Sequence, residues 1–200
     1  MERKQYSAGM LKESFWFSEF RKVIILLNIG RTLDEIKTLN IEENIFSAPT
    51  QARAIQINKT VSRRVNGLDQ PFCQLFLNSD LQTQKIIVLI AIMKTDSLFF
   101  DFMYEVFREK LIIGTNQIAD SDIRVFFRDK QLQSERVAKW TDNAIRKLGT
   151  CYKTILTEAG LINRSSGLCN ILKPILDKSV EDCMNENGME LILNSLTGVR

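Results

Sequence analysis

Residues 134–172 read SERVAKWTDNAIRKLGTCYKTILTEAGLINRSSGLCNIL, and this stretch decides the fold expected for the C-terminal half. Ser134 and Thr141 are helix-capping residue types, and each opens a predicted helix. The first helix is short, and the second runs over 141–159. Short apolar segments then flank a turn-rich stretch at 163–167, a pattern that favours a β-hairpin. A short helix, a turn, a longer helix and a hairpin predict a winged helix-turn-helix.

The long predicted helix has two unlike faces. One carries an apolar stripe that includes Ile145, Leu148 and Tyr152. The other carries amides and long cations, which contact phosphates and base edges in DNA complexes. The candidate DNA-contacting residues of this unit are Asn143, Arg146, Lys147, Thr150, Lys153 and, in the predicted wing, Arg164. The alternative is an ordinary solvated helix face, and Asn143 stands where a helix-turn-helix usually has an apolar residue.

The rest of the chain also shows helical punctuation. Capping boxes at Thr32–Glu35 and Ser79–Gln82 open two predicted helices, and the apolar run Ile86–Met93 predicts the most deeply buried helix. The pattern changes to shorter elements after Gly114. The sequence therefore predicts a mostly α-helical protein with a helical domain over 1–114 and a winged-helix-like domain over 115–200.

A second basic helix is predicted from residue 49 to 66, because no acidic residue occurs between Pro49 and Leu68. Uncompensated cations on one helix make a plausible phosphate-contacting surface, although a solvated face is the simpler interpretation. The candidate residues here are Arg53, Lys59, Arg63 and Arg64. The C-terminal stretch 177–190 is acidic instead, so the charges are segregated along the chain.

Composition limits the chemistry that the protein can perform. The 200 residues include no histidine, which excludes histidine-based catalytic triads and histidine-ligated metal sites. The four cysteines lack the short spacings of zinc sites, so they are expected to be reduced thiols. Acids such as Asp120 and Asp96 lie at predicted helix starts, where they favour the helix dipole. We therefore expect no enzyme activity, no metal and no cofactor.

The charges of the chain are nearly balanced, and its hydropathy predicts a cytoplasmic protein. The chain has 27 basic and 24 acidic residues, a formal net charge of +3, so any attraction to nucleic acid has to come from local patches. Residues 1–13 have no apolar stretch of the kind found in secretory signals. The run Ile86–Met93 is far shorter than the ~20 residues that span a membrane.

Three stretches together carry a family resemblance. They are YSAGMLKESFWFSEFRKV from Tyr6, KTDSLFFDFMYEVFREKL from Lys94, and DSDIRVFFRDKQLQSERVAKWTDNAIRKLGTCYKTILTEAGLI from Asp120. The chain resembles the BrxA family of BREX bacteriophage-exclusion systems. The strings KPILD from Lys173 and NGMELILNSLTG from Asn187 extend the resemblance to the end of the chain.

The resemblance implies a small, non-catalytic, mostly helical component of a bacterial defence system. It implies partners among the other BREX proteins, which include a DNA methyltransferase, an alkaline-phosphatase-like protein and a large ATPase. The family has been likened to helical nucleic-acid binders of the NusB type, and it has also been described as an inner-membrane protein. The sequence agrees with the first description and contradicts the second, because no segment is long enough to span a bilayer.

The residues and the resemblance together predict a protein that binds double-stranded DNA mainly through phosphates. Two alternatives stay open at this level. One is an adaptor that holds other BREX proteins and binds no nucleic acid, and the other is an RNA binder of the NusB type. The resemblance assigns no individual DNA-contacting residue, so the candidate residues rest on charge and helix periodicity alone.

Overall fold

The computed structural model of the protein describes residues 5–165 and 168–199. The fold is mostly α-helical, which confirms the predicted fold class. The chain forms two compact units. We call Phe15–Thr95 the helical unit, and the residues up to Ser14 together with those from Asp96 onward the mixed unit.

The helical unit consists of five helices. They are α1 (Phe17–Asn28), α2 (Leu33–Glu43), α3 (Gln51–Asn66), α4 (Gln70–Asn78) and α5 (Leu81–Thr95). As predicted, Thr32 and Glu35 form a capping box at the start of α2. Every residue from Ile86 to Met93 in α5 is at most 2% exposed, so this part of the helix is buried on all sides, as its unbroken apolar run predicts.

Two helix starts in this unit differ from the prediction by a few residues. The α3 helix is capped by Thr50, whose side chain accepts a hydrogen bond from the Arg53 amide. The α5 helix is capped by Asp80, which accepts from the Thr83 amide at 2.7 Å, whereas the Ser79 hydroxyl donates to a carbonyl of the preceding helix. Where two neighbouring residues could both cap a helix, the cap is the residue whose side-chain oxygen accepts a hydrogen bond from the backbone amide three positions later.

The mixed unit contains the remaining helices and a small sheet. After a 3₁₀ turn at Gly9–Lys12, its helices are α6 (Ser97–Phe102), which continues through a π-helical turn (Met103–Phe107) into α7 (Arg108–Ile113), then α8 (Asp120–Gln133), α9 (Glu135–Ala138), α10 (Asp142–Glu158), α11 (Lys178–Glu186) and α12 (Glu190–Thr197). Ser134 and Thr141 cap α9 and α10 as predicted. The 3₁₀ turn packs against α10, and α12 packs against the π-helical turn and α7.

The sheet has three antiparallel strands in the order β1-β3-β2. Its strands are β1 (Gln117–Ile118), β2 (Ile162–Ser165) and β3 (Leu168–Ile171). The β2–β3 hairpin agrees with the expectation from sequence. The two-residue strand β1, which pairs with β3, was not predicted, because an isolated pair of residues carries no alternation signal.

Aromatic rings form the centre of the mixed unit. The Tyr152 ring on α10 lies 5.0 to 5.7 Å, between ring centroids, from those of Phe99, Phe102 and Phe127. These rings are buried, so the aromatic residues of α6 serve packing, as their helical spacing indicates. The Tyr152 hydroxyl has no hydrogen-bond partner among the described residues, and burial raises the pKa of Tyr152 well above its ordinary value of 10.0.

A charged cluster, made of the buried Asp101 and Lys130 with the half-buried Tyr6 and the exposed Glu105, lies next to these rings. Lys130 is 2% exposed, and its ammonium group donates to Asp101 Oδ2 at 3.0 Å and to Glu105 Oε1 at 2.6 Å. The Tyr6 hydroxyl also donates to Asp101. Burial lowers the pKa of Lys130, but the hydrogen bonds to Glu105 and Asp101 outweigh it and leave that pKa raised.

The limits of the two units differ from the predicted domain boundary between 114 and 115. The helical segment Ser97–Ile113, which the prediction put in the N-terminal domain, packs in the mixed unit, because its π-helical turn contacts α8 and α12. The first described residues belong to that unit as well, through Tyr6. The division into domains 1–114 and 115–200 concerns independent folding, and it stays a prediction.

Candidate nucleic-acid interface

The predicted DNA-contacting residues of α10 follow one another along its exposed side. Asn143, Arg146, Lys147 and Thr150 are exposed, and Lys153 is half-buried. The opposite side of the helix carries Leu148, Tyr152, Ile155 and Leu156, all buried. The helix therefore separates its polar and apolar residues as the sequence predicts.

Several of these polar residues already have hydrogen-bond partners inside the protein, and the Thr150 hydroxyl, for example, donates to the Arg146 carbonyl oxygen at 3.2 Å. Arg146 Nη2 donates to Asn143 Oδ1 at 3.1 Å, one turn earlier on the same helix. Lys153 Nζ donates to Asp120 Oδ1 at 2.7 Å, at the start of α8. This hydrogen bond and the charge of Lys153 lower the pKa of Asp120, and the more distant Arg124 adds to the effect. Lys147 forms no ion pair among the described residues.

Arg164 on β2 lies beside α10. Its Nη2 atom is 3.5 Å from the Thr150 carbonyl oxygen and 3.4 Å from Thr154 Oγ1. The strand itself is held by pairing of Asn163 with Asn170 in β3. Ser166 and Gly167, part of the predicted wing tip, lie outside the described residues. The structure thus brings the strand leading to the wing next to the basic face of α10.

A groove of about 610 Å³ runs between α8 and α10. Its lining includes Asp120, Ile123, Arg124, Phe127, Arg128, Gln131, Asp142, Asn143, Ile145, Arg146, Gly149, Thr150 and Lys153. Four of the predicted DNA-contacting residues belong to this set, while Lys147 and Arg164 do not. A Cβ atom on Gly149 would lie 2.7 Å from Ile123 Cγ2, so glycine at this position lets the two helices approach closely.

Two exposed arginines of the groove, Arg124 and Arg128, were missed by the sequence analysis. They are four residues apart on α8, on the side away from the buried Phe126. This spacing is the signal that could have identified a second basic helix face. What the sequence does not show is that α8 lies alongside α10, and only this pairing brings the two faces to one groove.

The cations predicted on α3 do not share one surface. Lys59 and Arg63 are exposed, and Arg53 is half-buried with its guanidinium carbon 4.9 Å from the centre of the Trp16 ring. Arg64 is 1% exposed, donates to the Phe15 carbonyl oxygen at 3.0 Å, and also lies over the Trp16 ring. Arg64 is therefore part of the core of the helical unit, and its assignment as a DNA-contacting residue is corrected.

Acidic residues at the helix starts have structural partners. Asp96 accepts a hydrogen bond from the Phe99 amide at the start of α6, and Asp122 accepts from the Ala119 amide and pairs with Lys110. Across residues 5–165 and 168–199, no group of three or more histidine, cysteine, aspartate or glutamate residues is placed to hold a metal ion. Cys73, Cys151, Cys169 and Cys183 are free thiols.

Comparison with known proteins places the chain in a family. The sequence model of BrxA matches residues 4–188. The chain belongs to the BrxA family. A relative from Bacillus cereus (strain H3081.97), named "BREX protein BrxA", is 37% identical over 198 residues, which cover 99% of each chain. Family membership confirms the resemblance that the sequence strings carry.

A solved structure shares the fold of this BrxA-family protein. The crystal structure of an uncharacterized protein from Magnetospirillum magneticum superposes with a TM-score of 0.81, covering 98% of this chain and 100% of the other. At 19% identity, this similarity concerns the fold alone. Within the described residues, none of the helices combines the length and the apolar character needed to cross a bilayer.

Proposed function

We propose that this protein is a non-catalytic, DNA-binding component of a BREX phage-defence system, acting in the cytoplasm and contacting duplex DNA mainly through phosphates. Membership of the BrxA family supports the BREX part of this proposal. Its partners are duplex DNA and other BREX proteins. Among the latter, the methyltransferase, the phosphatase-like protein and the ATPase are the candidates that the family resemblance implies.

The exposed basic side of α10 is the observation that carries DNA binding. Arg146 and Lys147 are adjacent and exposed, and Asn143 and Thr150 lie one turn to either side of them. None of the four is engaged by an acidic side chain among the described residues. Cations of this kind gain free energy by displacing the counterions that surround DNA phosphates.

The order of elements around α10 supports a winged-helix mode of binding. Strand β1, helix α8, the short α9, helix α10 and the β2–β3 hairpin follow one another, and the sheet order β1-β3-β2 sets β1 against the hairpin. In helix-turn-helix proteins the second helix of the motif enters the major groove. Here that helix is α10, and Arg164 on the hairpin lies beside it.

The partners of the carboxylates support a non-catalytic role. Asp120 is held by Lys153, Asp122 by Lys110 and the Ala119 amide, and Asp101 by Lys130 and Tyr6. A nuclease or hydrolase needs carboxylates that converge on a metal or on an exposed substrate. In this protein those carboxylates stabilise helix starts and buried ion pairs instead.

Charge reversal on α10 tests DNA binding. The double variant Arg146→Glu with Lys147→Glu should weaken binding to a duplex at least about tenfold, and it should reduce the slope of log affinity against log salt by about 2. Binding is measured by fluorescence anisotropy with duplex DNA, single-stranded DNA and RNA over a salt series. The wild-type protein is expected to prefer the duplex.

A matched control carries the same change of charge elsewhere. Arg21→Glu with Lys37→Glu alters two exposed helix positions of the helical unit and should leave duplex affinity within about twofold. Equal loss in both double variants would reduce the binding to overall net charge. A preference for RNA hairpins over duplex DNA would replace the proposal with RNA binding.

A further inference from the structure

The groove between α8 and α10 has an apolar floor that a DNA duplex held through its phosphates would leave largely unused. That floor is lined by Ile145, which is half-buried, and by Ile123, Phe127 and Gly149, which are largely buried. A duplex held mainly through its phosphates gains little from an apolar floor, because phosphate oxygens are charged.

From this lining we infer that the groove is a docking site for an acidic amphipathic helix of a partner protein. A helix laid between two helices places its apolar residues on the floor and its flanking residues against the two walls. This binding mode is separate from the DNA binding proposed above, and it does not depend on it. The two share residues on the inner side of α10, including Arg146.

The dimensions of the groove suit a helix. Lining residues extend from Asp120 to Gln131 on α8 and from Asp142 to Lys153 on α10. At 1.5 Å rise per residue, each wall is roughly 16 Å long, which corresponds to about three helical turns. Because Lys153 contacts Asp120 at one end while α9 connects the helices at the other, α8 and α10 run in opposite directions along the groove.

The charges of the walls select an acidic partner. Arg124 and Arg128 stand on the α8 wall, and Arg146 stands on the α10 wall. Among the described residues none of these three arginines forms an ion pair, so each guanidinium can pair with a carboxylate of the ligand. The acids of the groove lie at its ends, where Asp120 is held by Lys153 and Asp142 occupies the first turn of α10.

A designed peptide provides the probe. It is a capped helix of about four turns with leucines at i, i+3, i+4 and i+7 and glutamates on both flanks, and its control carries glutamine at every glutamate position. Fluorescence anisotropy with the full-length protein should show the acidic peptide binding at least about tenfold more tightly than the glutamine peptide. Equal affinity of the two peptides would overturn the proposal.

Variants of the protein locate the peptide. Arg128→Glu, which is exposed and lies outside the proposed DNA-contacting set, should weaken acidic-peptide binding at least about tenfold. The charge-matched control Lys173→Glu, exposed and outside the groove, should leave it within about twofold. Equal effects of the two variants would show a non-specific charge interaction and would overturn the groove as the site.

The duplex-DNA titration is run on the same proteins, so that helix docking and DNA binding are tested separately. Peptide binding lost in Arg128→Glu with none lost in Lys173→Glu supports the groove, whatever the DNA result. If no acidic peptide binds while duplex affinity falls in Arg128→Glu, the groove contacts nucleic acid and helix docking is wrong. If DNA binding is absent but the peptide binds as expected, only the proposed function fails.

Discussion

The charged cluster and the groove both include cations of α8, and these cations have opposite environments. In the cluster, Lys130 is enclosed and paired with Asp101 and Glu105. In the groove, Arg124 and Arg128 are exposed, and among the described residues neither is ion-paired. A basic residue on a helix therefore indicates an external ligand only where the fold itself provides no acid for it.

The same lesson applies to the helical unit. Arg64 and Lys59 both belong to the acid-free stretch that the sequence analysis took as one basic face. Arg64 is buried against Trp16 and the Phe15 carbonyl, whereas Lys59 is exposed. Burial, which depends on the other helices of the unit, separates a structural cation from a cation available for binding.

Removing Lys130 should produce the largest effect on stability. Lys130→Ala leaves Asp101 buried without its cation, and breaking a buried pair in this way costs about 3–5 kcal/mol of unfolding free energy. Urea denaturation measures the loss. The control is Glu105→Gln, which should cost less than about 1 kcal/mol because the Glu105 side chain is 42% exposed. Similar losses in the two variants would contradict the buried role of Asp101.

Alkaline pH should have the second-largest effect on stability, because it weakens the charged cluster. Burial and the hydrogen bond to Asp101 raise the pKa of Tyr6 above its ordinary 10.0, and the pKa of Lys130 is raised above 10.5. Both groups hold their protons more tightly when folded, so their contribution is full below about pH 10 and is lost as the pH rises further. Tyr152, whose pKa is also raised, acts in the same direction.

Urea denaturation at about pH 8 and about pH 10.5 measures this loss, and Tyr6→Phe should make it smaller by removing one of the titrating groups. A stability that is equal at the two pH values would show that the cluster is not coupled to proton binding.

Neutralising Arg128 in the groove should have the smallest effect on stability. Arg128→Gln removes an exposed cation that is without an ion pair among the described residues, so the free energy of unfolding should change by less than about 0.5 kcal/mol. The measurement is the same denaturation experiment, with Lys130→Ala as the sensitive reference. A loss near 2 kcal/mol would show that Arg128 stabilises the fold, and it would contradict the contrast between the cluster and the groove.

Local signals in the sequence predicted much of the fold. The capping box at Thr32, the caps at Ser134 and Thr141, and the unbroken apolar run of α5 each specify an element through contacts within a few residues. The start of α4 also had a local signal, Pro71 in its first turn, which the sequence analysis did not use. Local hydrogen bonding and periodicity are sufficient for elements of this kind.

The remaining features depend on partners that are distant in the sequence. Strand β1 exists because β3, more than fifty residues later, pairs with it. The groove exists because Gly149 and Ile123 allow α8 and α10 to approach, and the burial of Arg64 depends on Phe15 and Trp16. A single sequence contains these residues but does not reveal their pairings.

Both ends of the described chain are fastened to the helical segment Ser97–Ile113. Tyr6 donates to Asp101 near one end, and Arg108 Nε donates to the Val199 carbonyl oxygen at 3.0 Å near the other. During synthesis on a ribosome, the helical unit emerges as one continuous stretch, Phe15–Thr95. The mixed unit cannot be completed so early, because its first residues leave the ribosome long before their partners. The hydrogen bond from Arg108 forms only once Val199 has been made. Translation that stops early would therefore leave the N-terminal segment without its binding place, even though that segment is made first.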